Sequence, residues 1–304
     1  MSELQKQLDN AIGKKEGLEG GYVSRTGKRY PNYLRNEDWT GFLNNMTQEH
    51  RQQYSEGSGG ELEEKQYPPK MASFGSSSRL IYELSKDIPG FIFEEKLDTK
   101  VGGIANLDGF FINRKRLTYV EAKRREIYLS HDNEEIKVNY KDVYKEIEKE
   151  TKEDFKYIPI DGQDELKKKD SSTPVMKGHF ALKGTRIPQF DMKQLICHFL
   201  GITYDLAKFQ NSVKEVQFLY LVYNPKDLKD YVDAKVYKNL ERIYQKATFS
   251  DIANQKEIEE LMERIFHIIL QYQIKRNNLP KMSKSEMKFT FKFVDQDNYK
   301  AELS

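Results

Sequence analysis

The chain has 304 residues, 32% of them charged and 38% hydrophobic, with 50 Lys and Arg against 48 Asp and Glu for a formal net charge of +2. No apolar run approaches the roughly 18 residues of a membrane span, and Lys6, Asp9, Lys14 and Lys15 stand where a signal peptide carries its apolar core, so no membrane partner is expected. Near-neutral charge neither requires nor excludes nucleic acid, which leaves local clusters to decide; the sole cysteine, Cys197, excludes an intrachain disulfide and fits a reducing cytoplasm.

Residues 1–70 are polar and read as an N-terminal extension. A short helix is expected to start at Glu37-Asp38-Trp39, with Trp39, Phe42 and Leu43 packing back on the core, and residues 55–60 read as a connector. The alternative makes this segment a nucleic-acid clamp. Ser76, Ser77 and Ser78 offer an N-cap to a helix striped by Leu80, Ile81 and Leu84 and ended by Pro89-Gly90. Residues 91–97 read as a strand. Gly102-Gly103 then makes a turn and lacks the Lys-Ser/Thr of a phosphate-binding loop.

Runs 105–112 and 117–123 are rich in β-branched and aromatic residues, and the four residues between them are polar, which predicts a hairpin. An even turn makes paired positions sum to 229. Asp108 then lies opposite Glu121 on one face, and Lys123, two residues on, shares it. A slip of one residue would part them. Two carboxylates and an ammonium so placed can hold a divalent metal and activate a water against a phosphodiester. The competing reading is a charged strand end that discourages edge pairing. Two basic clusters, Arg114-Lys115-Arg116 at the hairpin tip and Arg124-Arg125 after Lys123, are expected near this site, as phosphate contacts or as solvated turns.

Residues 131–190 are too long for a bare loop. A helix is predicted over 140–154, a mobile loop over 161–173 and a strand or hairpin over 177–186. This insertion is a place for substrate recognition, or an ornament. Asp191 caps the next helix, which carries Gln194 and His198 and ends at Gly201. The near-continuous apolar run 216–223 predicts a strand covered on both faces. A helix is expected over 226–247 and a stronger amphipathic one over 257–275, whose stripe reads as core or as a homodimer seam. A late edge strand is expected at 287–294. The five histidines and one cysteine form no zinc spacing, and no G-x-S-x-G of a serine hydrolase is present.

Over about residues 74–223 the chain resembles the PD-(D/E)XK nuclease superfamily. Asp108, Glu121-Ala122-Lys123 and the order helix, strand, strand, strand, helix, strand carry the resemblance. Leu107 stands where the motif has Pro, and His198 where some branches have Tyr four residues after the Gln matched by Gln194. The resemblance implies an α/β, restriction-endonuclease-like core, a central mixed β-sheet flanked by helices. It divides the chain into an extension (1–70) and a nuclease domain (71–304) with core 74–223, insertion 131–190 and a C-terminal elaboration (224–304). It also implies a Mg²⁺-dependent deoxyribonuclease, with Mn²⁺ as substitute, acting on DNA and leaving a 5′-phosphate. The metal would sit on Asp108, Glu121 and the Ala122 carbonyl, with Glu83 binding directly or through water; such all-oxygen ligation suits Mg²⁺. Lys123 would orient or deprotonate the water, and Gln194 would position the water, a ligand or the amine. A restriction or defence endonuclease is the first reading. A repair or recombination nuclease, or a silent nucleic-acid-binding module, are the alternatives.

Overall fold

The computed structural model describes every residue except 1, 58–59, 66, 114–115, 129–133, 161–173, 187, 207–213, 251–254, 279–286 and 304. The chain opens with α1 (Glu3–Lys15), held at its start by a reciprocal capping box between Ser2 and Gln5. A hairpin of β1 (Gly20–Val23) and β2 (Arg29–Leu34) leads to α2 (Asn36–Asn45) and α3 (Gln48–Glu56). Ser76 caps α4 (Ser77–Ser85), and three strands follow: β3 (Ile92–Asp98), β4 (Ile104–Asn113) and β5 (Arg116–Lys123).

The described part of 131–190 folds as β6 (Glu134–Lys137), α5 (Lys141–Thr151), β7 (Phe155–Pro159), β8 (Val175–Leu182) and β9 (Thr185–Arg186). Its strands form a small antiparallel sheet around β8. The predicted 161–173 loop lies outside the described residues. Then come α6 (Met192–Asp205), β10 (Glu215–Val222), α7 (Ala234–Ala247), α8 (Gln255–Asn277), β11 (Lys288–Val294) and α9 (Tyr299–Leu303).

A five-stranded sheet in the order β11-β10-β5-β4-β3 is the centre of the molecule. β3, β4 and β5 run antiparallel, while β5, β10 and β11 run parallel, so the sheet is mixed. Seven of the eight residues in both β5 and β10 are buried, as strands covered on both faces require. Tyr119, Glu121 and Lys123 of β5 face α6. Phe266 of α8 stacks on Phe289 of β11 at 3.6 Å and packs on Phe199 of α6, so α8 covers the same side. On the other side Phe93 of β3 meets Tyr54 of α3 and Tyr82 of α4.

The alternation of β3 breaks at Glu94. Phe93 faces α3 and α4, yet Leu97, four residues on, packs against α6, where a Cβ on Gly201 would come within 2.7 Å of the Leu97 Cβ. Strict alternation would put both on one face. Between them Glu94 has φ +57°, a conformation uncommon outside glycine, and the strand reverses its facing there.

The expected boundary at residue 70 is not marked by a break in the core. Leu8, Ile12, Trp39 and Tyr54 belong to the same apolar cluster as the sheet residues, and a bridge joins Tyr33 to Ser73. The expected helix over 226–247 is corrected to a tight turn at Pro225–Leu228 followed by α7, because Asp233 accepts from the Lys235 and Val236 amides and starts a new helix. The α8 stripe, including Leu261, Ile265, Phe266 and Ile269, is core. Among the described residues no helix is long and apolar enough to cross a membrane.

Candidate active site

The short turn of the β4–β5 hairpin sets the register on which the site depends. Asn113 pairs with Arg116, Ile112 with Leu117, Phe110 with Tyr119 and Gly109 with Val120, all in the 229 series. The paired positions end at Gly109–Val120, and Asp108 follows just beyond them. Its Oδ2 accepts the Ala122 N–H at 2.7 Å, so a carboxylate supplies a bond where the backbone ladder stops. Lys123 turns its carbonyl to β10, where it accepts from Tyr223 N. Ala122, one residue back, turns its N–H and carbonyl the other way, toward Asp108.

From the opposite side α6 reaches down to the same strand. Asp191 caps it by accepting from Gln194 N at 2.8 Å, which fixes the first turn and Gln194 with it. Lys123 Nζ donates to Glu121 Oε1 at 2.7 Å and to Gln194 Oε1 at 2.5 Å. Four residues on, on the same helix face, His198 Nε2 lies 2.9 Å from Glu121 Oε2, without the alignment of a hydrogen bond. The helix thus meets β5 in two successive rungs, Gln194 on Lys123 and His198 on Glu121.

A further carboxylate, absent from the sequence-based expectations, joins this group. Glu94 lies between the pairs Phe93–Gly109 and Glu95–Leu107, opposite Asp108, and lines the same recess of about 430 Å³ as Asp108, Glu121 and Lys123. The only signal in the sequence is an acidic pair, Glu94-Glu95, inside an apolar strand. Assigning it to the site needs the β3–β4 register, which the 99–103 turn sets.

These charges pull against each other. Burial pushes the Asp108 carboxyl well above the usual carboxylate range, and the nearby Glu121 and Glu94 push it the same way, against the Lys123 ammonium and the Ala122 N–H. Burial also acts upward on Glu121, but Lys123 and His198 outweigh it and hold that carboxyl at about 2. Burial lowers Lys123, and the adjoining Glu121 more than reverses this, so the ammonium is held well above its ordinary value.

Other expected site residues lie elsewhere. Glu83 pairs with Arg79 Nε at 2.7 Å and is not among the residues lining the recess. The basic residues of the two clusters divide. Arg116 sits five residues before Glu121, roughly 17 Å along an extended strand, and its guanidinium donates to the Glu302 carbonyl. Arg124 is 2% exposed, paired with Glu16 at 2.5 Å and set over the Tyr223 ring. Arg125 does line the recess, held at 2.7 Å by the buried Asp9 carboxylate. Arg114 and Lys115 lie outside the described residues.

Among the described residues no three His, Cys, Asp or Glu side chains are drawn together tightly enough to hold a metal as they stand. The donor chemistry nevertheless suits a hard cation. Asp108 and Glu121 are oxygen donors that line one recess, the Ala122 N–H is on Asp108, and Glu121 Oε2 is buried with no hydrogen-bond partner, 2.9 Å from His198 Nε2. Compared with known proteins, the chain matches no family model, no curated protein and no solved structure.

Proposed function

We propose that the chain is a Mg²⁺-dependent deoxyribonuclease, a restriction- or defence-type endonuclease on a restriction-endonuclease-like core, with Mn²⁺ as an alternative metal. The observation that carries this reading is the meeting of Asp108 from β4 with Glu121 and Lys123 from β5 at one end of the hairpin register, with Gln194 on the ammonium. Asp108, Glu121 and the Ala122 carbonyl would hold the cation, and Glu94 takes the supporting place that the family resemblance gave to Glu83. Bound Mg²⁺ supplies positive charge that polarises the phosphoryl oxygen and makes a water more acidic. Lys123, fixed between Glu121 and Gln194, orients the attacking water and offsets charge growing on the phosphoryl oxygens. Gln194 acts by holding that ammonium in place.

Ser76, Ser77 and Ser78, at the N-terminus of α4, also line the recess, a setting that suits phosphate oxygens. Lys70 and Arg125 line it too, each already paired, with Glu61 at 2.6 Å and with Asp9 at 2.7 Å, and Glu126 adds a further carboxylate. The 5′-phosphate product follows from the resemblance alone.

The test is incubation of the purified protein with supercoiled circular DNA, linear DNA and RNA, in Mg²⁺, Mn²⁺ and EDTA. Nicking or linearisation of circles in either metal, absent in EDTA and in Asp108→Asn, is the expected result. Cutting only from ends would replace the endonuclease reading with an end-directed one. Binding without cutting in any metal would overturn the enzymatic reading.

A further inference from the structure

A recess rich in carboxylates repels a polyanion unless positive charge stands nearby, and the cations around this one already have acidic partners. Lys70 and Arg125 are paired as described, Arg124 is on Glu16, and Arg35 is on Glu19 and Asp38. The β1–β2 hairpin differs. Residues 20–34 carry three cations, Arg25, Lys28 and Arg29, and no Asp or Glu, against a net of +2 for the whole chain. All three are exposed, and among the described residues none of them joins an ion pair.

The turn that presents these cations is held from several sides. Ser24 N donates to the Lys28 carbonyl at 2.9 Å, Ser24 Oγ accepts from Lys28 N at 3.1 Å, and the Ser24 carbonyl accepts from Gly27 N at 2.8 Å. The Asn36 side chain exchanges two bonds with the Val23 main chain, at 2.7 and 2.9 Å. Glu64 accepts from Arg25 N at 2.8 Å and from the Tyr22 hydroxyl at 3.2 Å, which ties the turn to the segment that brings Glu61 to the recess. A surface ordered in advance loses little freedom on binding.

The other end of the hairpin is at the recess. Tyr33 lines it and bridges to Ser73, which lines it too. Arg29 precedes Tyr33 by four residues, roughly 13 Å of extended strand. In the register Val23 faces Arg29 and Gly20 faces Leu34, so Gly21 lies toward the Tyr33 end. A Cβ on Gly21 would come within 3.0 Å of the Arg29 guanidinium, so that side chain leans along the hairpin toward the recess. Lys28 Nζ stands 5.1 Å over the Tyr30 ring, and Tyr30 meets Tyr33 edge-on at 5.7 Å. Cations and tyrosine rings thus follow one another from the turn to the recess.

We infer that the β1–β2 hairpin is a clamp that binds the phosphate backbone of duplex DNA a few nucleotides from the bond that is cut. The inference rests on the nuclease reading and adds to it a binding surface outside the recess. A two-stranded ribbon fits the major groove of a duplex. At roughly 3.4 Å per nucleotide along a strand, about four nucleotides separate the recess from Arg29. Contacts to phosphate carry no sequence information, so the clamp supplies affinity and register rather than choice of site.

The test compares Arg25→Gln/Lys28→Gln/Arg29→Gln protein with the parent and with Lys145→Gln/Lys149→Gln/Lys152→Gln protein. The latter loses the same charge from α5, where the lysines alternate with Glu146, Glu148 and Glu150. Binding of a fluorescent DNA duplex is read by anisotropy over a series of salt concentrations, with Asp108→Asn in every protein to prevent cutting. Cleavage of supercoiled DNA is read without that change. Position is read by cross-linking: Thr26→Cys/Cys197→Ser protein carries a photoactivatable azide on its single thiol, and the nucleotides it labels are mapped against the cut.

In the hairpin variant the plot of log affinity against log salt should be shallower by roughly 2–3, since each phosphate contact contributes about 0.9 to the slope. Its melting temperature should match the parent's, and its loss of cleavage should fall on KM rather than kcat. Arg25→Lys/Lys28→Arg/Arg29→Lys protein should keep the parent's slope, the α5 variant should stay near it, and the azide should label DNA within about six nucleotides of the cut. An unchanged slope and KM in the hairpin variant, with DNA still cut, would overturn the clamp while leaving the nuclease reading intact. Equal losses in the α5 variant would assign the effect to overall charge and also overturn it, as would tighter binding of duplex RNA. A parent protein that neither binds nor cuts DNA would remove both readings together.

Discussion

Replacing Lys123 by Met removes a buried ammonium from its carboxylate while keeping most of the side-chain volume. The pair is 2.7 Å apart, with the side chains 9% and 3% exposed. Glu121 is held at about 2 against an ordinary 4.5, which at roughly 1.4 kcal/mol per unit is about 3 kcal/mol of net preference for the charged form. Removing one partner of a buried pair costs roughly 3–5 kcal/mol because the other charge is left uncompensated. At roughly 2.1 cal/mol/K of unfolding entropy per residue, a chain of this length should lose about 5–8 °C in melting temperature. The assay is thermal unfolding in EDTA from pH 7 to pH 5.

The pH dependence separates this cause from a mere packing defect. In the wild type the folded Glu121 value is depressed, so its stabilising contribution is complete above about 4.5 and is lost as the pH falls toward about 2. In Lys123→Met, burial remains as the main influence and lifts the carboxyl above its unfolded value. The resulting penalty is largest at neutral pH and shrinks as the carboxyl takes up a proton. A proton on Asp108, whose carboxyl burial holds well above the usual range, acts in the same direction. The gap between variant and wild type should therefore narrow on acidification, and Glu121→Gln/Lys123→Met should regain most of the loss at pH 7. A gap that is constant with pH, or a double variant no better than the single one, would refute this electrostatic origin.

Asp108→Asn removes a carboxyl that burial, Glu121 and Glu94 all disfavour, yet its amide oxygen can still accept from Ala122. In EDTA it should be as stable as wild type or more so, by roughly 0–2 kcal/mol, while losing cleavage. Wild type should gain melting temperature with Mg²⁺ or Mn²⁺, since a ligand of the native state stabilises it by mass action. Asp108→Asn and Glu121→Gln should gain much less, and equal shifts in thermal scans would mean that the cation binds elsewhere. Gly201→Ala puts a Cβ within 2.7 Å of the Leu97 Cβ and 3.0 Å of the Ala105 Cβ. Overpacking of this kind should cost roughly 1–3 kcal/mol, and denaturant titration showing no loss would mean that α6 can shift freely. Glu16→Gln weakens the partner of both Arg79 and Arg124, at 2.7 and 2.5 Å, and should destabilise in urea titration without altering the metal-induced shift.

How far the amino-acid sequence reveals the fold and the site depends on how local each determinant is. The β4–β5 register is legible because a short polar turn separates two strongly β-forming runs, and that arithmetic matches the observed pairs from Asn113–Arg116 to Gly109–Val120, one step short of Asp108 and Glu121. Gln194 and His198 are visible as a pair because Asp191 marks the helix start and spacing of four defines a face. Glu94 is hidden, since its arrival depends on a positive φ that reverses the facing of β3 and that no residue type there announces. The fate of the basic residues is hidden for another reason. Arg124 and Arg125 look like phosphate contacts until α1 delivers Glu16 and Asp9 from more than a hundred residues away. The same long-range pairing explains why a polar N-terminal stretch is part of the core rather than an appendage. Leu8 and Ile12 are fully buried on a helix whose other residues are mostly polar.

The central claim is that Asp108 and Glu121 hold one catalytic cation beside Lys123. A crystal soaked in Mn²⁺, with data collected for anomalous scattering, measures this most directly. The expected result is a single strong peak bridging the Asp108 and Glu121 carboxylates, at roughly the 2.0–2.1 Å typical of small octahedral cations, with the Ala122 carbonyl turned to it. Saturating Mn²⁺ that leaves this position empty, or binds only at other carboxylates, would contradict it.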